Sequence, residues 1–343
     1  MKNIDITTHS KISIEEALKI KNSAWVDVRC PREYKRGHFS NSFNIPIFSD
    51  SEYENLGITY RSKGQNEAIL LGKKYVKKSI KNTLSKFSSI KNKNLIIYCA
   101  RGGMRSNGME HIIKKTNYNC YTINRGYKSV RSYTLSTFNQ KRNVIILAGS
   151  TGTGKTQILQ EMKLKNSNII DLESLAKHRG SVFGDLGLDK QPSQQQFENN
   201  LSFEWINTNP NYPVFIESES RKIGRVVIPE GIWSHMENGY YIKIDMNFKR
   251  RVKNLLNEYG HYNKSDLKDR VERISTRLGG AETKEAIDFI EKDDLSGFCK
   301  LLLNRYYDKL YDRAYNTRKL PKKIIKIHNE TNSEIINKIH RSI

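Results

Sequence analysis

Short apolar runs separated by polar turns recur along the chain at intervals that suit buried strands followed by helices. Ala24 to Val28 reads as a strand that runs into Arg29-Cys30-Pro31-Arg32-Glu33-Tyr34, where proline suits the first turn of a helix. A second strand, Leu95-Ile96-Ile97-Tyr98, ends at Cys99 in a glycine-rich loop, and helical spacing resumes with Ser106 as the expected N-cap. A third strand around Tyr121-Thr122-Ile123 leads through Gly126-Tyr127-Lys128 into a polar helical stretch ending near Asn139. Strand and helix alternate, so this half reads as α/β, and residues 1–139 are expected to form one domain.

The second half, residues 140–343, opens with the buried-looking strand Asn143-Val144-Ile145-Ile146-Leu147-Ala148. It feeds directly into Gly149-Ser150-Thr151-Gly152-Thr153-Gly154-Lys155-Thr156. Further strands are expected at Asn168 to Leu172 and Pro213 to Ile216, and residues 264 to 316 read as mostly helical with polar faces. The architecture expected overall is α/β followed by α/β, with a helical C-terminal part. In the lysine-rich segment Lys73 to Lys93, Val76, Ile80, Leu84 and Phe87 form one apolar stripe. The lysines are then expected on a solvated face, the alternative being a dedicated nucleic-acid surface.

Length supports this division, because 343 residues exceed the usual reach of one hydrophobic core. With 37% hydrophobic and 28% charged residues, the composition excludes disordered and collagen-like classes. The net charge of +23 favours polyanionic partners through counterion release, although abundant lysine can also reflect genome composition. Cys30, Cys99, Cys120 and Cys299 form no C-x-x-C pair, which argues against a structural metal site or a disulfide framework. The first residues lack the apolar core of a signal peptide and no run approaches the roughly 18 apolar residues of a membrane span. A soluble, cytoplasmic protein with no membrane partner is expected.

Two local patterns carry chemistry. Cys99-Ala100-Arg101-Gly102-Gly103-Met104-Arg105 places an arginine six positions after a cysteine, in a loop whose glycines let backbone N–H groups converge. That is an anion cradle with a thiolate at its base. A following helix N-terminus and Arg101 or Arg105 are expected to lower the cysteine pKa and to bind a phosphate, a sulfur oxyanion or a selenium-bearing anion. Cys120 and Cys299 read as buried thiols, and Cys30, which lacks a glycine-rich cradle, as incidental.

Gly149 to Thr156 matches the Walker A pattern in full and in its strand-to-helix context. Its glycines let N–H groups surround a diphosphate, Lys155 neutralises charge, and the Thr156 hydroxyl can reach Mg²⁺. Val214-Phe215-Ile216-Glu217-Ser218-Glu219-Ser220-Arg221 looks like the apolar strand ending in an acid that accompanies a P-loop, with Glu217 or Glu219 near the metal. The alternative is that these carboxylates pair with Arg221 or Arg225 at the surface.

With both patterns placed, the chain resembles the tRNA 2-selenouridine synthases over nearly its whole length. Asp27-Val28-Arg29, Asn44-Ile45-Pro46, Gly57-Ile58-Thr59-Tyr60, the Cys99 to Ser106 loop and Gly126-Tyr127-Lys128 resemble the family's rhodanese half. Asp171-Leu172-Glu173, His178-Arg179-Gly180-Ser181, Phe183-Gly184, Gln191-Pro192-Ser193-Gln194, Phe197-Glu198-Asn199 and Glu217 to Arg221 follow the P-loop in the family's order. Arg277-Leu278-Gly279-Gly280 and Tyr306-Tyr307-Asp308 also look like family segments. One departure is Tyr53, where family members usually show an arginine after the glutamate.

The resemblance implies that 2-thiouridine at the tRNA wobble position is S-geranylated from geranyl diphosphate and then converted to 2-selenouridine with selenophosphate. The P-loop and Mg²⁺ would serve the first step. Cys99 and Arg105 would serve the second, with selenium delivered directly or as a cysteine perselenide. A selenophosphate-supplying enzyme is a further implied partner. Two other classes share these signatures: a cysteine phosphatase fused to a nucleotide kinase, which lacks an acid aimed at the leaving group, and a nucleotide-switched tRNA-binding protein.

Overall fold

Residues 11–114, 116–311 and 322–343 are described by the computed structural model. Internal contacts separate two units, Met1–Thr137 with Glu198–Phe203, and Phe138–Phe197 with Glu204–Ile343. In the first unit β1 (Lys11–Ile12), β2 (Ser23–Asp27), β3 (Phe43–Asn44), β4 (Asn94–Tyr98) and β5 (Asn119–Ile123) form a parallel sheet ordered β1-β5-β4-β2-β3. Both faces are covered, which is why its central strands are apolar throughout rather than alternating. Ala24, Val26, Val28, Leu95, Ile97 and Cys99 belong to one buried cluster with Met109 and Ile113. Trp25, Ile96 and Tyr98 belong to the cluster on the other side.

From β2 the chain moves outward to β3, whereas from β4 it moves the opposite way to β5. The crevice beyond the carboxyl ends of β2 and β4 is therefore the topological switch point of this sheet, where open α/β folds place ligands. Cys99 follows β4 directly. The helix Met104–Ile113 begins earlier than the sequence suggested, because Gly103 is its N-cap. Ser106 lies inside the helix, and its hydroxyl is used by the loop instead of capping.

In the second unit β6 (Val144–Ala148), β7 (Asn168–Ile170), β8 (Val214–Glu217), β11 (Tyr240–Met246) and β12 (Lys322–Ile327) form a parallel sheet ordered β12-β11-β6-β8-β7. An antiparallel pair, β9 (Lys222–Ile223) and β10 (Val226–Val227), stands apart from it. Strand β7 stops at Ile170, short of Leu172, because Asp171 accepts from Ser174 N and caps a helix over Leu172–Ala176. Ile145, Leu147, Ile158, Met162, Ile244 and Ile335 share one core cluster of the sheet.

Residues 264 to 307 break into the helices Lys264–Arg273, Ser275–Leu278, Gly280–Glu291 and Leu295–Leu302, followed by a π-helical turn over Leu303–Tyr307. Residues 312–316 of the expected helical region lie outside the described residues. Among the described residues no helix is long and apolar enough to cross a membrane.

Candidate functional site

Two sites arise, one in each unit, and both lie at the carboxyl end of a central parallel strand. In the first, the loop after β4 is pinned from behind: Tyr127 N donates to Cys99 O at 2.8 Å and Lys128 N to Ala100 O at 3.1 Å. Gly126 has φ +54°, and a Cβ there would stand 2.2 Å from Cys99 O and 2.5 Å from Gly102 N. Gly102, at φ +64°, is equally enclosed by Ile123 O and Arg125 N. Only glycine fits these two positions, so the loop is held against the turn before the Tyr127–Thr137 helix.

Cys99 is 3% exposed, with Gly103 N donating to Sγ at 3.3 Å and the Ser106 hydroxyl in hydrogen-bond contact with Sγ at 3.4 Å. Burial pushes this thiol up. The Ser106 hydroxyl and then the backbone N–H groups of Arg101, Gly103 and Ser106 outweigh it, and the net shift is downward. Burial instead pushes Cys30, Cys120 and Cys299 up to about 12. Cys99 is thus the thiol the fold activates. The amides at the start of the helix act in the expected direction, the Ser106 hydroxyl ahead of them is an addition, and Arg105, which feels the Cys99 charge in turn, is paired first with Glu33.

Arg105 donates to Glu33 through its two terminal nitrogens, Nη1 at 2.5 Å to Oε2 and Nη2 at 3.2 Å to Oε1, and its guanidinium lies 4.7 Å over the Tyr53 ring. Glu33 comes from the helix Pro31–Arg36 after β2, so the pair spans the switch-point crevice. Tyr53, the departure from the family pattern, supplies an aromatic platform for Arg105 in place of a second positive charge. Arg101 and Met104 are exposed at the rim, and nothing lies within 4 Å of a Cβ built on Gly103.

The second site is a cavity of about 1070 Å³ lined by Gly149, Thr151, Gly152, Gly154, Lys155 and Thr156 on one side. Gly154, in the left-handed region, caps the helix Lys155–Leu164. Thr153 bonds back to Ser150 O at 2.8 Å, and its Oγ1 would lie 2.5 Å from a Cβ on Gly149. The helix Phe248–Tyr259 braces the loop, with Arg251 Nε donating to Thr151 O at 2.9 Å and Asn254 Nδ2 to Gly152 O at 2.8 Å. Arg251 is itself anchored on Asp308. Lys155 Nζ donates to Gly149 O at 2.9 Å, so its charge sits within the loop.

The carboxylates around this loop differ in role. Thr156 Oγ1 donates to Glu173 Oε2 at 2.8 Å, and Glu173 N donates to Glu217 Oε1 at 2.8 Å. Glu217 is completely buried, does not line the cavity, and is pushed well above the usual range, by burial first and then by Asp171 and Glu173. Of the two acids expected near a metal, the buried Glu217 therefore orients Glu173 from behind and only Glu219 faces the cavity. Burial and then the neighbouring Glu173 carboxylate push Glu219 up to about 8, against Lys155.

Among the described residues no cluster of three His, Cys, Asp or Glu side chains is arranged to hold a metal alone. Thr156 and Glu173 nevertheless offer adjacent hard oxygen donors, which fits Mg²⁺ sharing its shell with substrate phosphate and water. The cavity also has aromatic and aliphatic lining: the π-helical turn brings Tyr306 and Tyr307 to it, together with Tyr259, Leu255 and Leu310. Neither Glu173, which stands inside a family string, nor Glu33 carries a local signal of its site role, and Ser106, expected as a helix cap, acts on the sulfur instead.

A parallel α/β unit with an activated thiol loop joined to a unit with a complete P-loop defines a rhodanese-like and P-loop fusion. A rhodanese-like domain model matches residues 12–133, and a model described as the tRNA 2-selenouridine synthase AAA domain matches residues 142–342. The chain belongs to the tRNA 2-selenouridine synthase family. It is 32% identical to the tRNA 2-selenouridine synthase of Shewanella frigidimarina, over 86% of this chain and 89% of that one. It is 34% identical to that of Shewanella sediminis, over 83% and 86%. A solved tRNA isopentenylpyrophosphate transferase from Bacillus halodurans is 13% identical, covering 59% of this chain and 95% of that one, with a TM-score of 0.33.

Proposed function

We propose that this protein converts 2-thiouridine at the wobble position of tRNA to 2-selenouridine through an S-geranyl intermediate. The observation that supports this best is the cavity of the second unit, which is lined both by the phosphate-binding loop and by Leu255, Tyr259, Tyr306, Tyr307 and Leu310. That combination suits a diphosphate joined to an isoprenoid chain better than a nucleotide switch. Alkylation comes first for a chemical reason. A thiocarbonyl is a poor electrophile, whereas an S-alkylated base has an electron-poor carbon 2 and a leaving thiol.

In the first step the tRNA sulfur bonds to the allylic carbon of geranyl diphosphate, and the carbon–oxygen bond breaks with its electron pair leaving on diphosphate. Gly149 to Thr156 hold that diphosphate through N–H groups and Lys155. Mg²⁺, held by Thr156 and Glu173, would supply further neutralisation of the leaving group. In the second step selenium from selenophosphate bonds to carbon 2, geranylthiol departs, and phosphate is released by water. Cys99 and the loop to Arg105 serve that step.

A tRNA partner is supported by the helix Gln65–Phe87. Lys73, Lys74, Lys77, Lys78 and Lys81 are exposed along it and occupy an arc of about 140° at the α-helical repeat, away from buried Gly72, Thr83 and Phe87. None of the five forms an ion pair with a described residue, whereas Lys264, Lys268 and Lys292 of the second unit all face acids.

The test is mass spectrometry of nucleosides from 2-thiouridine tRNA treated with the protein, Mg²⁺ and geranyl diphosphate, with and without selenophosphate. A geranyl adduct without selenophosphate and 2-selenouridine with it are expected. Lys155→Ala should lose the adduct, and Cys99→Ser should keep it while losing selenation. Unchanged 2-thiouridine with folded, tRNA-binding protein would reject the reading.

A further inference from the structure

The Cys99 loop has a phosphatase-like span, Cys-x5-Arg, and the structure gives the cysteine the properties of a nucleophile rather than of a core thiol. Gly103 N and Ser106 Oγ lie at 3.3 and 3.4 Å from Sγ, and the turn is held open by Gly102 and Gly126. Electron counting then restricts what this thiolate can attack. If it took selenium from selenophosphate as a perselenide, the electron pair of the phosphorus–selenium bond would stay on phosphorus. Phosphite would form, or an added oxidant would be needed. Attack at phosphorus needs neither.

We infer that Cys99 attacks the phosphorus of selenophosphate, forming an S-phosphocysteine and expelling hydrogen selenide within the same loop. This rests on the selenouridine reading above. A sulfur–phosphorus bond forms, the phosphorus–selenium bond breaks, and its electron pair leaves on selenium. Hydrogen selenide then adds to carbon 2 of the S-geranyl base and displaces geranylthiol. Water hydrolyses the phosphocysteine to phosphate and the free thiol. No oxidant, reductant or metal enters the balance.

The lack of a leaving-group acid, which counts against an ordinary phosphatase, fits this assignment. Alkoxide leaving groups need a proton from the enzyme, but selenium departs as hydroselenide with the one proton that selenophosphate already carries near neutral pH, and that weak base leaves unassisted. The carboxyl set across the crevice, Glu33, is not such an acid: burial raises it, but the bonds to Arg105, the charge of that guanidinium and the contacts with Cys30 together outweigh that and hold it below the usual range. Its position instead keeps Arg105 beside the loop, where a guanidinium can meet phosphate oxygens.

The test uses the full chain and ³²P-labelled selenophosphate, quenched in neutral denaturant and mapped by peptide. Radiolabel on the Cys99 peptide is expected, with a mass lacking the selenium isotope pattern, together with selenide trapped by alkylation. Cys99→Ser should cut selenide release by about a hundredfold or more. Thiophosphate should be cleaved and methyl phosphate should not. The selenium isotope pattern on Cys99, or undiminished selenide release by Cys99→Ser, would overturn the assignment. Scoring 2-selenouridine formation on S-geranyl tRNA in the same samples separates the two failures. Selenouridine formed without phosphorus ever reaching Cys99 sinks only this inference, and no selenouridine at all sinks the reading beneath it.

Discussion

Ser106→Ala isolates the group that activates Cys99. The hydroxyl stands 3.4 Å from Sγ and 3.0 Å from Gly103 O, and its one proton turns to the sulfur when the thiol ionises, the charged acceptor being the stronger. Its removal orphans nothing, because Gly103 O still accepts from Asn107 N. The backbone donors to the sulfur remain, so the loss is one hydrogen bond to a charged acceptor. With a long sulfur contact the lower end of the usual range applies, about 1.5 kcal/mol, or roughly tenfold in thiolate population at fixed pH. A thiolate released from that bond is intrinsically more nucleophilic, which returns about half of the effect on a logarithmic scale. Iodoacetamide alkylation of Cys99, followed by peptide mass spectrometry, should therefore be about threefold slower near neutral pH. At high pH, where both proteins are ionised, the variant should react faster. Cys30, Cys120 and Cys299, pushed up to about 12, serve as slow internal references. Superimposable rate profiles for variant and parent would refute the assignment of Ser106.

Gly126→Ala sets a Cβ 2.2 Å from Cys99 O and 2.5 Å from Gly102 N in a left-handed turn, and neither backbone atom can yield. Roughly 2–5 kcal/mol of stability should be lost in urea unfolding of the first unit, and selenation should disappear while geranylation persists. Glu219, at about 8 in the folded chain against 4.5 ordinarily, binds a proton that the unfolded chain gives up between those values. Stability of the ligand-free protein should thus fall as pH rises from about 4.5 to 8, and Glu219→Gln should flatten that slope in thermal melts across the same window. Replacing Lys73, Lys74, Lys77, Lys78 and Lys81 by glutamine should lower the slope of log affinity for tRNA against log salt by roughly 0.7–0.9 for each phosphate that is no longer neutralised. The same change at Lys264, Lys268 and Lys292, which face acids, should leave the slope unaltered.

What the sequence determined is what lies within a few residues of itself. A P-loop is a contiguous strand, turn and helix whose glycines sit at fixed offsets, so Gly149 to Thr156 could be read directly, and the structure holds them in one turn. The Cys99 loop was legible for the same reason, as were the strands on either side. Ser106 is not the cap its spacing suggests, because Gly103 lets the helix start sooner, and a serine inside the first turn has the same local spacing as one before it. Tertiary structure alone decided the partners. Glu33 meets Arg105 across 72 positions, Glu173 meets Thr156 across 17, and Tyr306 and Tyr307 reach the P-loop cavity from the far end of the chain. Parallel sheets bring strands together through long crossovers, so the residues that share a crevice are set by sheet order and not by spacing. Burial completes the assignment: it makes Glu217 a hidden brace and raises Glu219, two acids that stand two positions apart in the sequence with the same chemistry.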